Sequence, residues 1–475
     1  MKEQVSDISI VLKAINERID SLTSQLDTAL AENVLLKAEN VNLRLRLAVY
    51  ETPKDSHNSS IPPSKDSLKV QSEKAKKLLM TQSLREKSNK PSGGQPGHEG
   101  TTLAFSDTPD FIEKHVPHYC TSCGNDLSDI EGLIVGARQV IDIPIPVRAF
   151  VTEHRIIRKK CSCGKCCEAN FTAAAKSKVC YGPNLEATVA YLSCSQYIPY
   201  KRLTEVLNDC FGVSLSQGTV DNILRYMKQK SQTVYDLIRY KVEQSNVAGG
   251  DETGAKINGQ GYWIWVFQTP KLTYTYCDKS RGKIAIQKHF KDGLPNATLV
   301  TDRHASYFKM NVAGHQLCLA HILRELIYLT ELDPEQTWTS KMIELLRDSI
   351  HKRKTETWEL IDRKSILFRF KALLDESTES LHKKIITLKK GLTKHKDNIF
   401  NFLNNPDIPY DNNASERAIR PLKLKQKVSG SFRNKEAKGA NTFCQIHSLT
   451  QTAKKNDQNP FLALLAVANN LSPAI

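Results

Sequence analysis

Between residues 8 and 50 an apolar side chain returns at heptad spacing, and no glycine or proline interrupts the run. Leu12, Ile19, Leu26, Asn33, Asn40 and Leu47 fall on one set of heptad positions. Ile15, Leu22, Ala29, Leu36, Leu43 and Tyr50 fill the set between them. A stripe of this period is buried by winding the helix against another helix, so residues 1–52 read as a coiled-coil oligomerisation helix. Both polar exceptions are asparagines at the first heptad position. Such residues cost stability but fix register and oligomer state, often a parallel pair.

The rest of the chain must supply its own cores. At roughly 150 residues per domain, 475 residues suggest about three domains, and a hydrophobic content of 40% supports at least one large core. The formal net charge of +16 favours a polyanionic partner, through phosphate neutralisation and counterion release. The N-terminal "MKEQVSDISI" is not a signal peptide, and the longest apolar run, near Phe461 to Ala468, is too short to cross a bilayer. The expected location is therefore the cytoplasm. There the twelve cysteines are not expected to form disulfides, and metal binding is the first alternative.

Residues 53–110 contain "HNSSIPPSKDS", "SEKAKK" and "KPSGGQPGHEG" and few large apolar side chains, the composition of a basic flexible linker. Residues 111–180 carry two cysteine knuckles, "HYCTSCGN" and "RKKCSCGKCC". Between them Ile141, Ile143, Ile145, Val147, Ala149 and Val151 alternate as one face of a strand, with Pro144 and Pro146 confining it to an edge. Knuckles joined by strands make a zinc ribbon, a closed four-thiolate site with a structural role. Cys120 and Cys123 supply one pair. Cys161, Cys163, Cys166 and Cys167 offer a choice for the other.

Residues 181–240 are helical in pattern. "YKRLTEVLNDCFG" ends at a glycine, and the next helix starts with Ser216 as N-cap and Val220, Ile223, Leu224 and Met227 on one face. Helix, turn, helix is a DNA-binding arrangement, and it makes Gln217, Thr219, Asn222 and Arg225 candidate base or phosphate contacts. Residues 241–440 read as mixed α/β, with an Asn-Gly hairpin in "KINGQG" and a helical, basic insertion at about 333–404. Residues 441–475 read as a helical tail. In "PYDNNASERAIRPLK", Asn413 and Glu416 have the form of a capping box, and Pro421 is expected to stop the helix after about two turns.

Three carboxylates stand out. Asp251 follows the short run Val247–Gly250. Asp302 ends the strand "NATLVTD". Glu416 lies on a helix with Asn412 and Arg420 at i, i+4 spacing. Glu252 is expected on the opposite face of its strand from Asp251. Two strand aspartates and one helix glutamate can hold a pair of Mg²⁺ (or Mn²⁺) ions against a phosphodiester. Cys318 and His321, in "CLAH", could bind metal or brace the insertion against the core; on local grounds they read as a buried cysteine and a histidine at a helix start.

The segments "DETGAKINGQGYWIWVFQT", "TDRHASYFK", "HQLCLAHILREL" and "PYDNNASERAIRPLKLKQKVSGSFRNKEAKGANTFCQI" closely resemble the catalytic region of the TnpC-type transposases of bacterial insertion sequences, the IS66 family. "SSIPPSKDS", "GGQPGHEG" and "CSCGKCCEANF" resemble that family's linker and zinc-finger segments. The resemblance implies a DDE transposase with an RNase H-like core. It places the catalytic triad on Asp251, Asp302 and Glu416, and the zinc ligands on Cys120, Cys123, Cys161 and Cys163. Arg417, Arg420, Lys423 and Lys425 would then meet scissile phosphates. The implied partners are element-end and target DNA, a second copy through the coiled coil, and small accessory proteins of the same element. The implied setting is the bacterial cytoplasm, at the nucleoid. Two other classes fit parts of the chain: a catalytically silent DNA-binding regulator or relic, and an RNase H-like nuclease acting on hybrids or junctions.

Overall fold

The computed structural model describes residues 2–52, 54–55, 58–59, 106–131, 133–141, 149–160, 162–163, 166–171, 177–378, 381–430, 432 and 437–473, the side chains of 2–12, 14 and 160 aside. They fall into two compact units. One is built from residues 1–86, 154–204 and 216–475; the other from 87–153 and 205–215. Much of the 53–110 linker lies outside the described residues.

In the larger unit, α1 (Lys2–Glu51) is one unbroken helix of 50 residues, roughly 75 Å at 1.5 Å per residue. Its heptad side chains lie open: Ile15, Ile19, Leu22, Leu26, Leu36, Leu43 and Leu47 are all about half exposed or more. Among the described side chains, packing is found toward its C-terminal end. Ala48 and Val49 rest on the helical core described below. The residues that follow continue that docking: Asn58 is buried and donates its amide to Glu331 Oε2 at 2.8 Å.

Two short strands, β1 (Arg158–Lys160) and β2 (Cys166–Glu168), pair antiparallel with Lys160 opposite Cys166. The longer strand expected across residues 137–157 does not form among the described residues, which run there without regular pairing; residues 142–148 lie outside them.

Helices follow. α2 (Pro183–Ala190) winds into a π-helical turn, Tyr191–Ser195. Next come α3 (Tyr200–Phe211), α4 (Gln217–Lys230) and α5 (Gln232–Glu243). Ser216 caps α4 by accepting from the Thr219 amide at 3.0 Å. Val220, Ile223, Leu224 and Met227 are buried on the face the helical period assigns them.

The larger unit is organised around a five-stranded mixed sheet in the order β5-β4-β3-β6-β7. Its strands are β3 (Val247–Ile257), β4 (Gln260–Gln268), β5 (Thr273–Asp278), β6 (Leu294–Thr301) and β7 (Val312–Leu317). β3, β4 and β5 pair antiparallel; β6 and β7 join parallel to β3 and to each other. Asn258 and Gly259, both at positive φ (47° and 80°), close the β3–β4 hairpin as a tight turn of matching twist. α6 (Lys283–His289) carries the chain toward β6.

After β7 the chain forms α7 (Leu319–Leu332), α8 (Trp338–Thr355), α9 (Arg363–Asp375) and α10 (Lys383–Lys394). These bury a core of their own that includes Leu323, Leu326, Met342, Leu346, Ile366, Phe370, Ile385, Leu388 and Phe402. α11 (Asn413–Ser429) then returns to the sheet, followed by α12 (Lys438–Lys455) and α13 (Pro460–Ala468). α12 begins before residue 441 and packs on β5.

Helical segments close both edges of the sheet. Along β5, α12 offers side chains to backbone amides: Thr273 N donates to Thr452 Oγ1 at 3.1 Å, Thr275 N to Ser448 Oγ at 2.9 Å and Cys277 N to Asn441 Oδ1 at 3.0 Å. Along β7, Gln316 donates to Ile399 O at 2.8 Å and accepts from Phe402 N at 2.9 Å, while Asn401 donates to His315 O at 2.7 Å. Among the described residues no helix is long and apolar enough to cross a membrane.

The α11 region departs from expectation twice. Asn412, not Asn413, holds the cap position, and its side chain makes no cap bond. It reaches instead across to Gly250 O at 2.7 Å, while Asn413 bonds to Asp411 through its amide and its side chain. Pro421 lies inside the helix, which runs on to Ser429. An interior proline costs about 3 kcal/mol. Burial of Ile419 and Leu422 against the sheet, about 1.5–3 kcal/mol each, is enough to carry the helix through it.

In the smaller unit, Cys120 and Cys123 sit in a tight turn. Gly124 N donates to Cys120 O at 2.9 Å and Cys120 N to Asn125 O at 2.8 Å, beneath an antiparallel bridge between Tyr119 and Asp126. The Cys123 and Ser122 amides point at the Cys120 sulfur, together with the Cys123 thiol, and hold its pKa below the ordinary thiol value.

Candidate active site

The parallel register between β3 and β6 pairs Gly249 with Val300. Asp251 and Asp302 each follow their partner by two residues, so the sheet carries both to the same end of that pairing. Glycine makes the third approach feasible. A Cβ on Gly249 would lie 2.5 Å from Gln268 Nε2, 2.5 Å from Ser415 Oγ and 3.0 Å from Asn412 Oδ1. Only a bare backbone lets the start of α11 come this close to β3. Three bonds fix the approach: Asn412 to Gly250 O at 2.7 Å, Gln268 to Ser415 at 3.3 Å and Asn412 N to Cys318 Sγ at 3.1 Å. They hold the first turn of α11, which bears Glu416, against β3.

The electrostatics report this convergence. The Asp251 carboxyl is pushed up to about 8, first by burial, then by the neighbouring charges of Glu252 and Asp302, with Glu416 adding to the rise. Its Oδ1 accepts one bond, from Glu252 N at 2.9 Å. Asp302 accepts from His304 N at 2.9 Å. Glu252 is turned to other partners, accepting from Arg281 at 2.8 and 2.9 Å and from the Tyr307 hydroxyl.

Glu416 meets α7 on its other side. His321 Nε2 lies 3.7 Å and Arg324 Nη1 3.6 Å from its Oε1. Neither contact is a hydrogen bond, and this oxygen is buried without a hydrogen-bond partner. Cys318, the residue before α7, is buried, and burial pushes its thiol up to about 12. Burial likewise lowers the pKa of His321. Sequence reasoning singled out Cys318 and His321 without deciding between metal binding and packing, and did not reach Arg324; only the fold brings these residues to Glu416.

The other candidates are spread over different surfaces. Arg417, Arg420 and Lys423 are exposed along α11. Lys425 is not: it is 5% exposed and donates to Ser193 O at 3.1 Å and Ile198 O at 3.3 Å. The expected phosphate contact is corrected, because this lysine ties α11 to the π-helical turn and burial lowers its pKa. On α4, Gln217, Asn222 and Arg225 are exposed, and Thr219 is half-buried against Ser216. Arg225 pairs with Asp221 at 3.1 Å and bonds Asn222. Cys163 is exposed between β1 and β2, and Cys161 lies outside the described residues.

The carboxyls of Asp251, Asp302 and Glu416 offer oxygen donors, with Asp251 held up to about 8 and Arg324 standing 3.6 Å from Glu416. The all-oxygen donor set suits hard divalent cations such as Mg²⁺ or Mn²⁺.

Comparison with known proteins places these features. Residues 8–104 match a family of unknown function, DUF6444. An uncharacterized protein of Sinorhizobium fredii, y4qI, is similar at 23% identity over 503 residues, covering 96% of this chain and 87% of that one. A second from the same organism, y4jO, is 27% identical over 168 residues, 34% of this chain and 50% of its own length. Residues 178–441, more than half of the chain and the whole of the sheet with its three carboxylates, match the Transposase IS66 family, and the chain belongs to that family.

Proposed function

We propose that this protein is the DNA transposase of a bacterial insertion sequence, which binds the element ends and catalyses Mg-dependent strand cleavage and strand transfer. What supports the reading is that Asp251, Asp302 and Glu416, drawn from a strand, the end of another strand and a helix far apart in sequence, are near enough to interact: Asp251 is raised to about 8 first by burial and then by neighbouring charges that include Asp302 and Glu416. These three would hold divalent cations, which supply charge neutralisation at the phosphate and an activated oxygen nucleophile. The rest falls to the chain's own side chains. Asn412 and Ser415 fix the height of Glu416 above the sheet. Arg417, Arg420 and Lys423, exposed beyond it, position strand phosphates and offset charge that grows during the displacement. The strand order, a three-stranded antiparallel meander extended by two parallel strands, supports an RNase H-like core.

The other segments fit the same role. The Cys120–Cys123 turn has the form of one knuckle of a zinc ribbon. α4 would present Gln217, Asn222 and Arg225 to DNA. α1 would pair with a second copy. The setting is the bacterial cytoplasm, at the nucleoid, with accessory proteins of the same element as possible partners.

The test is cleavage of DNA carrying the element ends, assayed with and without Mg²⁺ beside RNA–DNA hybrid and junction substrates. Cleavage restricted to element ends and dependent on the metal is expected. Binding without turnover would favour a silent regulator instead. Two further outcomes follow. Leu22→Lys with Leu26→Lys should convert the oligomer to a monomer by light scattering, because two charges then sit in the heptad stripe. Arg417→Ala with Arg420→Ala should weaken end binding and lower the slope of log affinity against log salt by about 1–2, with base preference unchanged.

A further inference from the structure

We propose that Cys318, His321 and Glu416 form a binding site for one thiophilic divalent ion, such as Zn²⁺ or Co²⁺, and that its occupation withdraws Glu416 from catalysis. The inference rests on the reading above that Glu416 serves the reaction.

One ligand atom from each residue, the thiol sulfur, an imidazole nitrogen and a carboxylate oxygen, lies within 4.8 Å of the other two. A modest inward movement would bring such a triangle onto a single ion. The donor set is not that of the all-oxygen site beside it. Thiolate and imidazole select zinc-like ions over magnesium, and three protein ligands leave a fourth position for water. The sulfur is already oriented, accepting from Asn412 N at 3.1 Å at the start of α7; burial holds it as the thiol until an ion supplies the opposing charge. The buried oxygen that would ligate the ion, Glu416 Oε1, has no hydrogen-bond partner. Such an orphaned group in a polar site calls for a ligand.

The surrounding charges are mixed. Arg324, 3.6 Å from Glu416, opposes a cation, and the charge of Arg303 also reaches His321. Asp302 favours one, and the thiolate adds a negative charge on binding. The exchange is balanced: Cys318 gives its proton to solvent, His321 offers the Nε2 lone pair with its proton on Nδ1, and Glu416 offers one oxygen. No electron is transferred. Once bound there, Glu416 cannot turn fully to the aspartates.

The experiment is a Co²⁺ titration of the full-length protein prepared with a single zinc per chain, followed by thiolate-to-cobalt charge-transfer absorption. The parent and Asp251→Asn should each take up one additional cobalt with that band. Cys318→Ser should lose the band, and His321→Ala, altering a partly exposed side chain, should bind at least tenfold more weakly. In parallel, micromolar Zn²⁺ should inhibit Mg-dependent cleavage by the parent and not by Cys318→Ser. Indistinguishable cobalt titrations of the parent and both variants would overturn the site, and equal zinc sensitivity would overturn its effect on Glu416. A cobalt band in a protein that never cleaves DNA would support the site and count against the transposase reading alone.

Discussion

Asp251→Asn is expected to lower Mg-dependent strand cleavage by about a thousandfold or more, since metal-assisted charge stabilisation is worth several kcal/mol and each 1.36 kcal/mol is tenfold in rate. The same change should make the metal-free protein more stable at neutral and alkaline pH. An unfolded aspartate titrates near 3.9, whereas in the fold Asp251 titrates near 8. Between these values the folded chain keeps a proton that the unfolded chain has released. Stability from this group is therefore complete below about pH 4 and is lost as pH rises through 8. Asparagine removes that dependence. Thermal melts of parent and variant in chelator, from pH 5 to pH 9, should diverge with rising pH, the variant melting higher. Added Mg²⁺ should raise the parent's melting temperature most at high pH, where no proton need be displaced. A variant that cleaves at the parent's rate would remove Asp251 from the chemistry.

Gly249→Ala carries the second large effect. The added methyl would stand 2.5 Å from both Gln268 Nε2 and Ser415 Oγ. Gln268 is flexible at its tip, but Ser415 is buried on the helix that bears Glu416. The helix must move outward. Overpacking of this kind costs about 1–3 kcal/mol, and a shift near 1 Å at a catalytic group costs about a hundredfold in rate. The expected result is a protein that folds, melts several degrees lower and binds element ends, with cleavage reduced about a hundredfold. The outcome that would overturn the argument is full cleavage by a variant whose melting temperature has fallen as expected. The acid's position would then not depend on the close approach of α11 to β3.

Features set by near neighbours were legible in the sequence. The heptads of α1, the Asn258-Gly259 turn and the Ser216 cap all depend on a few adjacent residues. The family was legible for a different reason: the segments that carry Asp251, Asp302 and Glu416 resemble a family pattern long enough to name it. What could not be read depends on contacts between distant segments. Asn412 looks like a neighbour of a cap until Gly250, on another element, takes its amide. Lys425 has the composition of a phosphate contact, yet two carbonyls near the π-helical turn draw it inward. Pro421 breaks an isolated helix but not one whose apolar face is packed on a sheet. Arg324 has no local signal at all; it matters because α7 and α11 cross at Glu416.

The covered edges of the sheet bear on how copies of this protein can meet. Strands that end in open amides and carbonyls invite a neighbouring chain to extend them. Here one margin is occupied by threonine, serine and asparagine side chains and the other by glutamine and asparagine. Under the proposed function, copies gathered beside one another on one stretch of nucleic acid would experience very high local concentration. Sealing both margins closes the route to runaway stacking and leaves association to surfaces whose register the sequence can specify.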